Sequence, residues 1–88
     1  KVDASAEIDF VYRFGNKVIP VEVKSGTNSK LRSLHQFMDK APHDIAVRVW
    51  TGRFSVDTVR TPSGKDFRLV NIPFYYVGQL DKILSRLL

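Results

Sequence analysis

Cysteine is absent from this 88-residue chain, which excludes a disulfide framework and any thiolate-bound metal. No apolar run is long enough to cross a bilayer as a helix, and no signal-peptide pattern opens the sequence. Membrane insertion is therefore not expected, and the lack of cysteine fits an expected cytoplasmic setting. A glycine-rich phosphate-binding loop is missing as well: Gly26, Gly52 and Gly64 stand singly in turn contexts, so this piece is not expected to bind ATP by itself. Internal repeats and low-complexity tracts do not occur. What is present is 43% hydrophobic and 26% charged, the balance of a single small globular domain over residues 1–88 rather than a disordered tail. A chain this short buries a modest core, so its stability is expected to draw on further segments, a dimer partner or another domain. Lys1 rather than methionine leads directly into strand-like sequence, which suggests a fragment of a longer protein.

Acidic residues are the scarcer charge, nine against fourteen Lys and Arg, for a formal net charge of +5. Such an excess favours polyanionic partners through long-range attraction and counterion release, nucleic acid above all. An acidic membrane surface fits less well, since no segment joins a basic face to a strongly apolar one.

The scarce acids are not scattered. Glu7-Ile8-Asp9-Phe10-Val11 and Val18-Ile19-Pro20-Val21-Glu22-Val23-Lys24 flank Gly15-Asn16, which reads as a two-residue type II′ hairpin loop with Gly supplying the positive φ. Phe14 then faces Lys17, and counting outward sets Tyr12 against Ile19, Phe10 against Val21, Ile8 against Val23, Asp9 against Glu22 and Glu7 against Lys24. Because strand side chains alternate, Ile8, Phe10, Tyr12, Ile19, Val21 and Val23 form an apolar core face, while Glu7, Asp9, Glu22 and Lys24 cluster on the other. Glu7 with Lys24 is an ordinary cross-strand ion pair, and Asp9 and Glu22 read equally as solvated outer-face groups. One lysine, however, does not neutralise three carboxylates. Two oxygen ligands converging beside a lysine suit a hard cation such as Mg²⁺, with the lysine left to hold water or developing charge.

Beyond Lys24, a polar loop ends in residues suited to cap a helix from about Ser29 to Lys40, with Leu31, Leu34, Phe37, Met38 and Ala41 on one face and Pro42 stopping it. Ile45 to Trp50 reads as a buried strand. This strand, helix and strand form a βαβ unit, so the third strand should run parallel to the second. Phe54 to Arg60 and Phe67 to Ile72 read as a second hairpin around Thr61-Pro62-Ser63-Gly64-Lys65, ended by Pro73. From about Tyr76 to Leu88, Val77, Leu80, Ile83, Leu84 and Leu87 recur at helical spacing. The expected fold is α/β with a mixed sheet and the order ββαβββα.

Asp9, twelve intervening residues, then Glu22-Val23-Lys24 resembles the Asp...Glu-x-Lys signature of the PD-(D/E)xK nuclease superfamily. More narrowly, Ala6-Glu7-Ile8-Asp9-Phe10-Val11 with Ile19-Pro20-Val21-Glu22-Val23-Lys24-Ser25-Gly26, and Asn71-Ile72-Pro73-Phe74 before a terminal helix, are similar to a domain of unknown function at the C-terminus of many bacterial and archaeal AAA-type ATPases. The resemblance implies a restriction-endonuclease-like core, Asp9 and Glu22 as ligands of Mg²⁺, and Lys24 as the catalytic lysine. Lys30 and Gln36 fall where many members keep an auxiliary polar residue. Members usually add an acidic residue from a helix before the first core strand. Here the chain starts only a few residues before Glu7, so this piece is expected without that first helix: either the helix belongs to a preceding segment, or the site lacks a member and Glu7, differently placed on the hairpin, is the nearest substitute.

The function expected from these features is that of a C-terminal nuclease-like domain of an ATPase, cleaving DNA phosphodiesters with Mg²⁺. The alternative is a non-catalytic DNA- or protein-binding module that regulates the attached ATPase. Expected partners are nucleic acid, with DNA favoured, the N-terminal ATPase domain of the same chain, and a second copy in a homodimer. His35 and His43 read as surface residues. Trp50, Phe74, Tyr75 and Tyr76 read as core or rim packing before base stacking. Arg48, Arg53, Arg60, Lys65 and Arg68 read as a solvated set unless the sheet gathers several on one face, where they could hold phosphates.

Overall fold

The computed structural model of the protein describes residues 8–24 and 32–88. Strands β1 (Phe10–Phe14) and β2 (Lys17–Val23) precede helix α1 (Arg32–Lys40); β3 (Ile45–Trp50), β4 (Ser55–Arg60) and β5 (Asp66–Pro73) follow; a 3₁₀ helix (Phe74–Gln79) leads into α2 (Leu80–Leu87). The order is roughly the one expected, with the 3₁₀ helix inserted before the last element. A single mixed sheet results, in the order β1-β2-β3-β5-β4. Its centre, β2, β3 and β5, is parallel, and each flank is an antiparallel hairpin partner.

Gly15 has φ +62° and Phe14 faces Lys17, so the first hairpin turns where a positive φ at the first central position is sterically free. Its register is the one counted from the sequence, from Phe14 opposite Lys17 out to Phe10 opposite Val21. Pro20 lies at a non-hydrogen-bonded position relative to β1, just before the first β2–β3 pair, Val21 with Val47. Its missing N–H therefore interrupts neither ladder.

Period-two alternation divides the core into two layers. Ile19, Val21, Ile45, Val47, Val49, Val70 and Ile72 pack beneath Leu80 and Leu84 of α2. On the opposite face Ala46, Phe67 and Leu69 pack beneath Leu34 and Met38 of α1. Both helices are short, and short helices draw their stability mainly from such apolar stripes.

Three expectations change here. Phe10 and Val23, assigned to the core face of the hairpin, are 44% and 38% exposed. Tyr12 and Phe14, nearer the turn, pack against the cluster that includes Leu80 and Leu84 of α2, while the open end stays uncovered. Ile8 packs with the α1-side cluster instead, since it precedes β1, which begins only at Phe10. The terminal α-helix starts at Leu80, not near Tyr76, and Val77 lies exposed on the 3₁₀ helix.

Two side chains fix the end of helix α1 and the chain that follows it. Lys65 Nζ donates to the carbonyls of Met38, Ala41 and His43 at 2.7, 2.6 and 2.7 Å, placing a cation where the helix macrodipole is negative and its last carbonyls lack partners. His43 Nδ1 accepts the Ile45 N–H at 3.3 Å. The neutral ring therefore carries its proton on Nε2, which donates to the Val18 carbonyl at 2.7 Å. His43 is thus a joint between strands rather than a surface residue.

Candidate functional site

Because β2, β3 and β5 run in parallel, their C-terminal ends fall along one edge of the sheet. Ligand sites in open α/β sheets recur at such an edge. Glu22 pairs with Arg48, and Arg48 with Asn71, in the strand registers, while Asn71 pairs with Ser55 of β4. A row of polar side chains thus crosses four strands on the α1 side, with neighbouring strands about 4.8 Å apart.

The sequence-expected site residues occupy one end of this row. Lys24 Nζ lies 3.2 Å from Glu22 Oε2, and both side chains are largely buried, 17% and 16% exposed. The lysine therefore pairs with Glu22 along its own strand. Its expected partner Glu7 lies outside the described residues, as does Lys30. Glu22 Oε1 is buried and has no hydrogen-bond partner among the described residues, an uncommon state for a carboxylate oxygen. Asp9 follows a different logic. Its Oδ2 accepts the Val23 N–H at 2.7 Å, taking the place of the backbone carbonyl that a longer β1 would present. The hairpin accordingly brings Asp9, Glu22 and Lys24 to one end of the sheet, with one Asp9 oxygen engaged by the backbone.

Sequence reasoning set Arg48 among solvated basic residues and missed both its burial and the rest of the row. Arg48 is 8% exposed inside an otherwise apolar strand. Its Nε donates to Asn71 Oδ1 at 2.7 Å, and its guanidinium carbon sits 4.5 Å from the Trp50 ring centroid, within cation–π range. Asn71 Nδ2 donates in turn to Ser55 Oγ at 3.0 Å and Asp57 Oδ2 at 2.9 Å. Since Arg48 can only donate, the amide orientation of Asn71 is fixed by its neighbours. Burial pushes the Arg48 guanidinium below its ordinary pKa, while Asp57 and Glu22 pull it back up. The signal was available: a lone arginine in Ile45-Ala46-Val47-Arg48-Val49-Trp50 and a lone amide in Leu69-Val70-Asn71-Ile72 are polar groups in buried strands, and such groups require partners.

Residues 1–75 match the family model described as Domain of unknown function (DUF4143). The chain belongs to this family. No curated protein and no solved structure matches it. The remaining candidates of this DUF4143 domain sort by position. Gln36 lines an open groove of about 750 Å³ with Asn16, Lys17 and Val18; these mark the start of β2, so Gln36 stands away from Glu22 and Lys24. His35 is half-buried with its edge on Phe67, ring centroids 5.8 Å apart, which corrects its expected surface position. Trp50 is packed, as expected, whereas Phe74, Tyr75 and Tyr76 are exposed. Arg60 binds Asp66, and Arg68 holds the Leu87 carbonyl and lies 3.7 Å from Asp44. Among the described residues no helix is long and apolar enough to cross a membrane.

Chemically, the DUF4143 site offers carboxylate oxygens at Asp9 and Glu22, an ammonium at Lys24 and a guanidinium at Arg48. Among the described residues no three His, Asp or Glu side chains converge as a metal-binding group.

Proposed function

We propose that this DUF4143 domain is a nuclease-like module with a restriction-endonuclease-like core, attached to an ATPase, whose Asp9–Glu22–Lys24 end engages DNA phosphodiesters with Mg²⁺. The observation that carries the reading is Glu22: one carboxylate oxygen faces Lys24 and the other is buried with no donor. A bound cation would relieve that unpartnered oxygen. Asp9 and Glu22 can supply two oxygen ligands, and Mg²⁺ ordinarily completes its shell with waters and substrate oxygens, so the donor set fits. Mg²⁺ bound there would acidify water and offset phosphoryl charge. Lys24 would hold a water or a developing negative charge, and the +5 net charge would draw the polyanion in.

A second reading, a non-catalytic DNA- or protein-binding module that regulates the ATPase, is favoured by one specific observation. Asp9 already satisfies the Val23 N–H, and among the described residues no third acidic or imidazole ligand joins it. The experiment is Mg²⁺ and Mn²⁺ titration with a DNA cleavage assay on the intact protein, repeated with Asp9→Asn and Glu22→Gln. Loss of both metal affinity and cleavage supports the nuclease reading. DNA binding without metal affinity or cleavage supports the second.

A further inference from the structure

We infer that Arg48, with Lys24 on the neighbouring strand, forms a preorganised oxyanion-binding pair that grips a non-bridging oxygen of a phosphate ester. This rests on the phosphodiester reading of the site and adds to it the residue that recognises the phosphate. Arg48 is anchored at two points, through Nε on Asn71 and by stacking on Trp50. Its nearby carboxylates have other partners: Glu22 Oε2 faces Lys24, leaving Oε1 as the unpartnered oxygen assigned to the cation, and Asp57 Oδ2 accepts from Asn71. No ion pair joins Arg48 to a carboxylate among the described residues, and no described residue accepts from its two terminal amino groups.

A purely structural arginine in a buried strand ordinarily closes its fork on a carboxylate, because an uncompensated buried charge is costly. Here the side chain is immobilised and, among the described residues, no carboxylate closes the planar fork, the geometry that matches phosphate oxygens bidentately. The register sets Arg48 directly beside Glu22, so an oxyanion held by Arg48 and Lys24 would lie against the carboxylate assigned to Mg²⁺. Preorganisation means that little side-chain freedom is lost on binding.

The test uses the intact protein without metal. Binding of octathymidylate is followed by fluorescence anisotropy, and binding of inorganic phosphate by phosphorus NMR, for wild type, Arg48→Met and Arg48→Lys, with amide spectra as the check of fold. Both substitutions are expected to weaken octathymidylate binding about tenfold or more, since a charge-assisted bidentate contact is lost and a lysine does not recreate the fork. Where Arg48→Met fails to fold, Arg48→Lys, which keeps the charge, decides. A folded Arg48→Lys with wild-type affinity overturns the inference. Equal Arg48 dependence with inorganic phosphate assigns the pair to phosphate in general, and dependence with octathymidylate alone assigns it to nucleic acid; both support the oxyanion pair. Failure of the nuclease reading is separable: Arg48-dependent binding in a protein without Mg²⁺ affinity leaves the pair standing, whereas Mg²⁺-dependent cleavage with unchanged Arg48→Lys binding removes the pair alone.

Discussion

Asp9 Oδ2 accepts the backbone N–H of Val23 at 2.7 Å, so one carboxylate both ends a β ladder and stands at the candidate site. The two roles separate by substitution. Asp9→Asn keeps a carbonyl acceptor and should leave stability within about 0.5 kcal/mol of wild type, whereas Asp9→Ala orphans the Val23 N–H and should cost about 1 kcal/mol. Urea denaturation of both variants measures the difference. Equal stability of the two would show that the bond contributes nothing to the fold.

Lys65 is expected to be the more sensitive position. Its ammonium reaches three carbonyls at the end of α1, and Lys65→Met should cost about 2–3 kcal/mol by leaving them without a donor. Lys65→Arg should restore little, because a planar fork does not fit three acceptors converging on one point. Thermal melts monitored by circular dichroism report both.

Gly52 lies against the indole of Trp50. A Cβ built on it would fall 2.7 Å from both Cε2 and Cζ2, so Gly52→Ala must push the ring aside, at roughly 1–3 kcal/mol. Trp50 is the sole tryptophan, so its fluorescence reads the displacement directly. Because Arg48 stacks on that ring, the variant should also weaken Arg48-dependent anion binding. Unchanged emission and stability would contradict the contact.

Two exposed carboxylates set an acid limit. The Ser63 hydroxyl, aided by Thr61, holds Asp39 below its ordinary pKa, and Arg60 does the same for Asp66. A depressed folded pKa makes a contribution that is complete above the unfolded value and is lost as pH falls through the folded one. Stability should therefore decline from about pH 5 downward, continuing below about pH 3.9. Asp39→Asn and Asp66→Asn should each flatten that decline in urea midpoints taken across the range. Added salt should shrink the Asp66 share, as its partner is an exposed arginine.

Much of the architecture was legible because its signals are local. Gly15-Asn16 fixed the register of the first hairpin, Thr61 to Lys65 announced the second, and the apolar run from Ile45 gave the strand between them. The site was legible only where it lies on one hairpin, at Asp9, Glu22 and Lys24. Arg48 and Asn71 stayed hidden because they meet through parallel pairing, which places residues 23 positions apart side by side without a turn to set the count. Phe10, Val23 and Ile8 were misassigned for a related reason: alternation names a face, but only tertiary packing decides how far a helix covers it. The roles of Lys65 and His43 depend on contacts with α1 and β2 that no periodicity encodes.

The strand order carries a kinetic consequence. β1 with β2 and β4 with β5 close through short turns, and such hairpins form within microseconds. The buried strand β3 belongs to neither hairpin, yet it separates β2 from β5. Its two parallel pairings close longer loops, which slows the search for native contacts. The step expected to limit folding is then the capture of β3 between the two hairpins, and Arg48 meets its partner Asn71 only when that pairing forms.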